Sequence, residues 1–237
     1  TNLDLRDCLI VKFLLIFSAM DIYWYGQACF KLKGKNASVI IDPYNPDFTG
    51  LKLPKDLSAD MVLTTHNHED HNFASVVTTP SGSKPMVFEK PGEYEVSGVV
   101  ISGIHSFHDN AEGSERGVNT IFHLLFDNLD IVHLGDLGQT KLSEEQVVEI
   151  GQTDILLIPV GAVYTIDAKV ASEIVSQLEP KIIIPMHYAI EGLKFELEGV
   201  ENFLKEMGAE NTVAQPKISI TKEKLPEEPQ VVVLSKV

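Results

Sequence analysis

Residues 64–72 read TTHNHEDHN and follow directly on the apolar run Met61, Val62, Leu63. Three of the chain's eight histidines and one aspartate fall at His66, His68, Asp70 and His71. In a chain of this composition the spacing H-x-H-x-D-H arises by chance about once in two thousand sequences. A polar surface loop would account for the polarity of the stretch but not for its spacing. Neutral imidazole and carboxylate are the usual nitrogen and oxygen ligands of zinc and similar divalent ions. A short loop leaving a buried strand can aim all four side chains at one point.

Two more such residues occupy equivalent places. Asp136, in IVHLGDLG, follows the apolar strand expected over 129–134, and His187, in KIIIPMHY, follows the strand expected over 181–186. In layered α/β proteins strand ends gather along one edge of the sheet, and sites are built there. A single histidine at a strand end is ordinarily a packing residue, but three strand ends carrying ligand-type residues reverse that reading.

The rest of the pattern is short strands first, then strands alternating with helices. Residues 21–25, 28–32 and 38–41 read as an antiparallel meander. Strands are expected at 61–64, 86–88, 99–101, 119–126 and 129–134. Ser143 and Gln146 form a capping box ahead of a helix to Ile150. A buried strand over 154–160 leads to a helix over 168–178 with Val170, Ile174 and Leu178 on one face. A strand over 181–186, a helix near 200–207 and strands near 217–220 and 231–234 complete the chain.

Composition limits the function. The 237 residues are 44% hydrophobic, enough for one large domain with a substantial core. A formal net charge of −15 and the lack of any Lys/Arg run make a nucleic-acid partner unexpected. Cys8 and Cys29 form no disulfide framework or metal-type spacing, which points to a reducing, cytoplasmic setting. Residues 1–19 include the apolar stretch CLIVKFLLIFSA, read as upstream sequence, a signal or an anchor. It is short for a membrane span. The folded domain is expected over 20–237, with no stable membrane association unless that segment anchors it.

The motif series His66, His68, Asp70, His71, a histidine near 105–108, Asp136 and His187 resembles the metallo-β-lactamase superfamily. IYWYGQACFKL, VIIDPY, SFHDNAEGSERGVNTIF, VHLGDLGQ, LLIPVGAVYTIDA and PKIIIPMHY are similar to the branch of metal-dependent hydrolases that includes the L-ascorbate-6-phosphate lactonases. The resemblance covers residues 20–237 and implies a four-layer αββα sandwich, with two mixed β-sheets flanked by helices. It also implies two divalent ions, zinc foremost, with manganese or iron as alternatives. One would be held by His66, His68 and His108, the other by Asp70, His71 and His187, with Asp136 bridging. His105 is the alternative to His108. The implied chemistry is attack by hydroxide held between the metals on a small ester, lactone or phosphorylated sugar acid, with Asp70 as base. A small-nucleotide phosphodiesterase and a non-catalytic metal-binding regulator are the alternatives.

Tyr164 and Tyr188 are candidates to donate to a developing alkoxide. Arg116 is either an anion-binding residue or part of a structural turn, and Asp42 is expected to fix a loop or a ligating histidine. His123 and His133 are expected to pack rather than ligate. Ala162 stands where the branch usually has a second glycine after Pro-Val-Gly. A glutamate in place of His68 would have suggested an oxygen-reducing di-iron centre, and true class B β-lactamases lack an aspartate corresponding to Asp136. A small-molecule substrate is the expected partner, and homo-oligomerisation is left open.

Overall fold

A computed structural model describes residues 19–237, so the N-terminal expectation lies outside the described residues apart from residue 19. Strands β1 (Met20–Gly26), β2 (Cys29–Lys33) and β3 (Ser38–Ile41) form the expected antiparallel meander. A short helix α1 (Pro46–Thr49) precedes β4 (Met61–Leu63) and β5 (Met86–Phe88), which pair parallel to β3 and to each other. Then come β6 (Gly92–Val96), β7 (Val99–Phe107), β8 (Val118–Phe126) and β9 (Leu129–His133), each antiparallel to the next.

The second half alternates as the sequence predicts. Helix α2 (Glu144–Ile150) leads to β10 (Ile155–Pro159), helix α3 (Ala168–Leu178) to β11 (Ile182–Met186), and helix α4 (Glu201–Glu206) to β12 (Ile218–Ile220) and β13 (Gln230–Val231). Ser143 and Gln146 close the capping box of α2, and Asp167 caps α3 through the Val170 N–H. The buried face of α3 is Ala168, Ala171, Ile174, Val175 and Leu178, with Val170 only partly covered.

Two mixed sheets result, ordered β12-β1-β2-β3-β4-β5 and β13-β11-β10-β9-β8-β7-β6. The first shows strict alternation. Val39, Ile41, Met61 and Leu63 point into the main core between the sheets, whereas Ile40 and Val62 point to a smaller cluster on the other face. That outer cluster is closed by Tyr44, Leu51, Leu57, Ala59 and Val77 from segments that carry only α1 and one 3₁₀ turn. The layer over the first sheet is therefore thin. Over the second sheet, α3 packs against β10 and α4, while α2 packs against β7. Parallel pairing of β9, β10 and β11 requires crossovers, and α2 and α3 supply them.

Strand direction decides where the ends meet. Because β7 and β9 are both antiparallel to β8, they run the same way as β10 and β11. The C-terminal ends of β7, β9, β10 and β11 thus share one edge. Backbone bonds from Thr120 N–H to the Thr65 carbonyl (2.9 Å) and from His187 N–H to the Gln27 carbonyl (3.1 Å) join that edge to the first sheet. Among the described residues, no helix is long and apolar enough to cross a membrane.

Candidate metal centre

The loop after β4 carries His66, His68, Asp70 and His71; the loop after β7 carries His108; Asp136 follows β9 and His187 follows β11. They gather into two groups, His66, His68 and His108 in one and Asp70, His71, Asp136 and His187 in the other. Within each group the ligand-type atoms all lie within 4.8 Å of one another. Asp136 Oδ2 is central, at 3.2 Å from His71 Nε2, 3.2 Å from His187 Nε2 and 3.4 Å from His108 Nε2. Asp70 Oδ2 lies 3.6 Å from His71 Nε2 and 3.9 Å from His187 Nε2. His68 is the exposed member, facing the pocket mouth.

The hydrogen bonds behind these side chains fix their tautomers. The Asp42 carboxylate is an acceptor only, and it receives the Thr65 N–H (2.7 Å), the Thr65 hydroxyl (2.8 Å) and His71 Nδ1–H (2.9 Å). With its proton given to Asp42, Thr65 Oγ1 can only accept from His66 Nδ1, 3.0 Å away. Both imidazoles therefore turn an Nε2 lone pair toward the site when neutral. His66 Nε2 and His71 Nε2 are buried without a protein partner, and so is Asp136 Oδ1. A lone pair 3.2 Å from a carboxylate oxygen is repulsive unless a proton or a metal cation sits between them. The donor set of nitrogens and carboxylate oxygens thus fits divalent metal ions.

The electrostatics agree. Burial alone would raise the Asp70 and Asp136 carboxyls, but the imidazoles of His71 and His187 outweigh it and hold both well below the usual carboxylate range. His71 is opposed by burial yet pushed up by Asp136, Asp70 and Asp42. Burial pushes His66 and His108 down.

Close backbone approach explains two glycines. A Cβ on Gly138 would run into the backbone of His108 and Asp109, and one on Gly161 would run into the His187 carbonyl. Ala162, at the position that departs from the branch pattern, takes the left-handed conformation (φ 49°) that glycine favours, as does Val163 (φ 45°).

The structure places His108, and not His105, with the other candidate ligands. His105 lies in β7, exposed, while His108 lies just past its end among the other ligands. His133 is buried with both nitrogens satisfied, Nε2 donating to the Ala28 carbonyl and Nδ1 accepting from Gly135 N–H. His123 pairs with Asp130 at 3.1 Å, away from the site. Tyr164 lines the pocket, but Tyr188 does not. Its ring packs on Trp24 and its hydroxyl points to the Leu234 carbonyl at 3.5 Å, so the expectation for Tyr188 is corrected. The pocket encloses about 580 Å³ and is also lined by Phe48, Asn67, Glu115, Arg116 and Phe195. Phe48 and Phe195 carry no motif and were invisible in the sequence.

Residues 21–187 match the family model described as a β-lactamase superfamily domain. The chain belongs to the metallo-β-lactamase superfamily. It is 30% identical over 188 residues to a UPF0173 metal-dependent hydrolase of Thermoplasma acidophilum, covering 71% of this chain and 83% of that protein. A UPF0173 protein of Pyrococcus abyssi is 31% identical over 204 residues, covering 76% of this chain and 91% of the relative. Among solved structures, a superfamily member from Thermotoga maritima superposes with a TM-score of 0.69 at 35% identity, covering 91% of this chain and 98% of its own. Within the superfamily the chain falls with the metal-dependent hydrolases.

Proposed function

We propose that the protein is a binuclear hydrolase of a small ester, lactone or phosphorylated sugar acid. The observation that carries this is the pair of orphaned lone pairs on His66 Nε2 and His71 Nε2, set by Asp42 and Thr65, the first grouped with His68 and His108 and the second 3.2 Å from Asp136 Oδ2. His66, His68 and His108 would hold one ion, and Asp70, His71 and His187 the other, with Asp136 between. The Thermotoga neighbour is described as Zn-dependent, and zinc is the first expectation here; the ligand types also suit manganese or iron. Two such ions supply Lewis acidity toward the scissile carbonyl or phosphoryl oxygen and acidify water in the site.

The chain's own groups do the rest. Asp70 stands at the pocket floor, 9% exposed, where its carboxylate orients the attacking water and takes its proton. Asp42 holds the rings of His66 and His71 in place through the cycle. Tyr164 faces the pocket where its hydroxyl can donate to a developing alkoxide.

The test is a screen of lactones, thioesters, esters and phosphodiesters on the full chain reconstituted with zinc or manganese. Hydrolysis of a lactone or ester, abolished by chelation and restored by metal, is the expected result. Turnover confined to phosphodiesters would replace this reading with the nucleotide alternative. Metal binding with no turnover on any class would leave a regulator.

A further inference from the structure

Arg116 is the sole arginine among the described residues. It stands at the mouth of the pocket beside Phe48, Tyr164 and Phe195. Among the described residues, Lys169, Lys217 and Lys222 make ion pairs with carboxylates, and Arg116 makes none.

Its placement is nevertheless built. The Asp109 carboxylate accepts the N–H groups of Ala111 (2.8 Å), Gly113 (2.8 Å), Glu115 (3.0 Å) and Arg116 itself (2.7 Å). His108 N–H donates to the Gly117 carbonyl at 3.0 Å, closing the same loop. The backbone that aims Arg116 is therefore tied to the backbone that carries the ligand His108. One guanidinium N–H donates to the Tyr164 carbonyl at 3.2 Å, and the group lies over the Tyr164 ring at 5.3 Å. The remaining face of the planar fork is open, and that fork matches a carboxylate or phosphate oxygen pair in a way an ammonium does not. Beside it, Phe195 touches both Phe48 (centroids 5.9 Å apart) and Tyr164 (6.0 Å), giving a continuous apolar wall.

We propose that Arg116 is the anion-recognition residue of this pocket, and that its substrates carry an oxyanion on an apolar body. The carboxylate or phosphate would sit on the guanidinium and the body against Phe48, Tyr164 and Phe195, leaving the scissile bond toward the metal floor. The word substrate rests on the hydrolase reading; the binding claim does not. A purely structural Arg116, tying its loop to Tyr164, predicts lost stability but no discrimination by ligand charge.

The test measures equilibrium binding of phenylacetate, phenyl phosphate and neutral phenylacetamide to the metal-loaded full chain and to Arg116→Gln and Arg116→Lys, with metal content determined on each sample. Direct coordination of the probes by metal is common to parent and variants and cancels in the comparison. The expected result is that Arg116→Gln weakens one or both anions by roughly 10- to 100-fold relative to phenylacetamide, the range for a charge-assisted hydrogen bond. Arg116→Lys recovers only part of the loss. Which anion suffers more tells carboxylate from phosphate. Equal losses for anions and amide, no loss for either anion, or no preference for anions in the parent each overturn the proposal. Should Arg116→Gln fail to load metal, the Lys variant alone decides, with a relative loss of about three-fold or more expected. Failure to hydrolyse any ester would overturn the hydrolase reading and leave these affinities standing.

Discussion

At the scale of single residues, the proposed mechanism gives Asp70 two jobs, ligand and base, that a substitution can separate. Asp70→Asn keeps the size and one coordinating oxygen, but the amide cannot take a proton from water. Turnover should fall by roughly 10²-fold or more while much of the metal stays bound, as expected for loss of a general base. Metal content and kcat measured on one preparation decide it, since equal activity per bound metal pair would remove Asp70 from the mechanism. A parallel comparison tests the third histidine. His108 lies with His66 and His68, whereas His105 projects from the exposed side of β7. His108→Ala should therefore lower the number of ions bound per chain, and His105→Ala should leave it at the parent value. Elemental analysis showing the reverse would mean that the loop after β7 rearranges on metal binding. Tyr188 shows how adjacency misleads at this scale. His187 takes a left-handed conformation (φ 52°) at the end of β11, which turns the chain and sends the next ring into the core against Trp24.

At the scale of elements, the ligands are only as well placed as the strand ends and turns beneath them. Gly138 is the sharpest case, because any side chain there meets the backbone of His108 and Asp109. Gly138→Ala should push the loop after β7 outward, weakening metal binding and lowering stability by about 1–3 kcal/mol, the usual cost of overpacking. Denaturant unfolding and metal titration of the variant check both effects; a parent-like variant would show that the loop is softer than its packing suggests. The ends of β4 and β11 were legible in the sequence because the candidate ligands there follow unbroken apolar runs, Met61–Leu63 and Ile182–Met186, whose burial on both faces leaves little ambiguity. Strand β6 was not foreseen. Its sequence GEYEV carries two glutamates in five residues and is mostly exposed, as suits an edge strand, so it shows no apolar period. Strand β7 was expected only to Ile101, because Ser102 and Gly103 interrupt its pattern, yet it runs on to Phe107 and thereby delivers His108 to the site. The aromatic wall was hidden for a different reason. Phe48, Tyr164 and Phe195 come from three distant segments, and nothing in their local sequence says that they meet.

At the scale of the whole molecule, the site is a seam between the two sheets. His66, His68, Asp70 and His71 come from the first sheet, and His108, Asp136 and His187 from the second. Without cations the seam brings Asp42, Asp70 and Asp136 together in a chain already at −15, so the carboxylates oppose the closure that packing of the two sheets requires. Ions held by these groups would reverse the sign of that interaction and cross-link the sheets. Because the ligands are brought together only on folding, metal affinity appears as stability. With free metal at a hundred times the dissociation constant, one site adds about 2.7 kcal/mol, which for a domain of this size corresponds to a rise in Tm of roughly 5–10 °C. Calorimetric scans of the full chain with excess zinc and with chelator should therefore differ by at least that amount, and more if both sites fill. The double variant His66→Ala/His187→Ala, which removes one ligand from each group, should lose most of the difference. A Tm that ignores metal in the parent would mean that ions bind folded and unfolded chains alike, and the seam would then have to be held by packing alone.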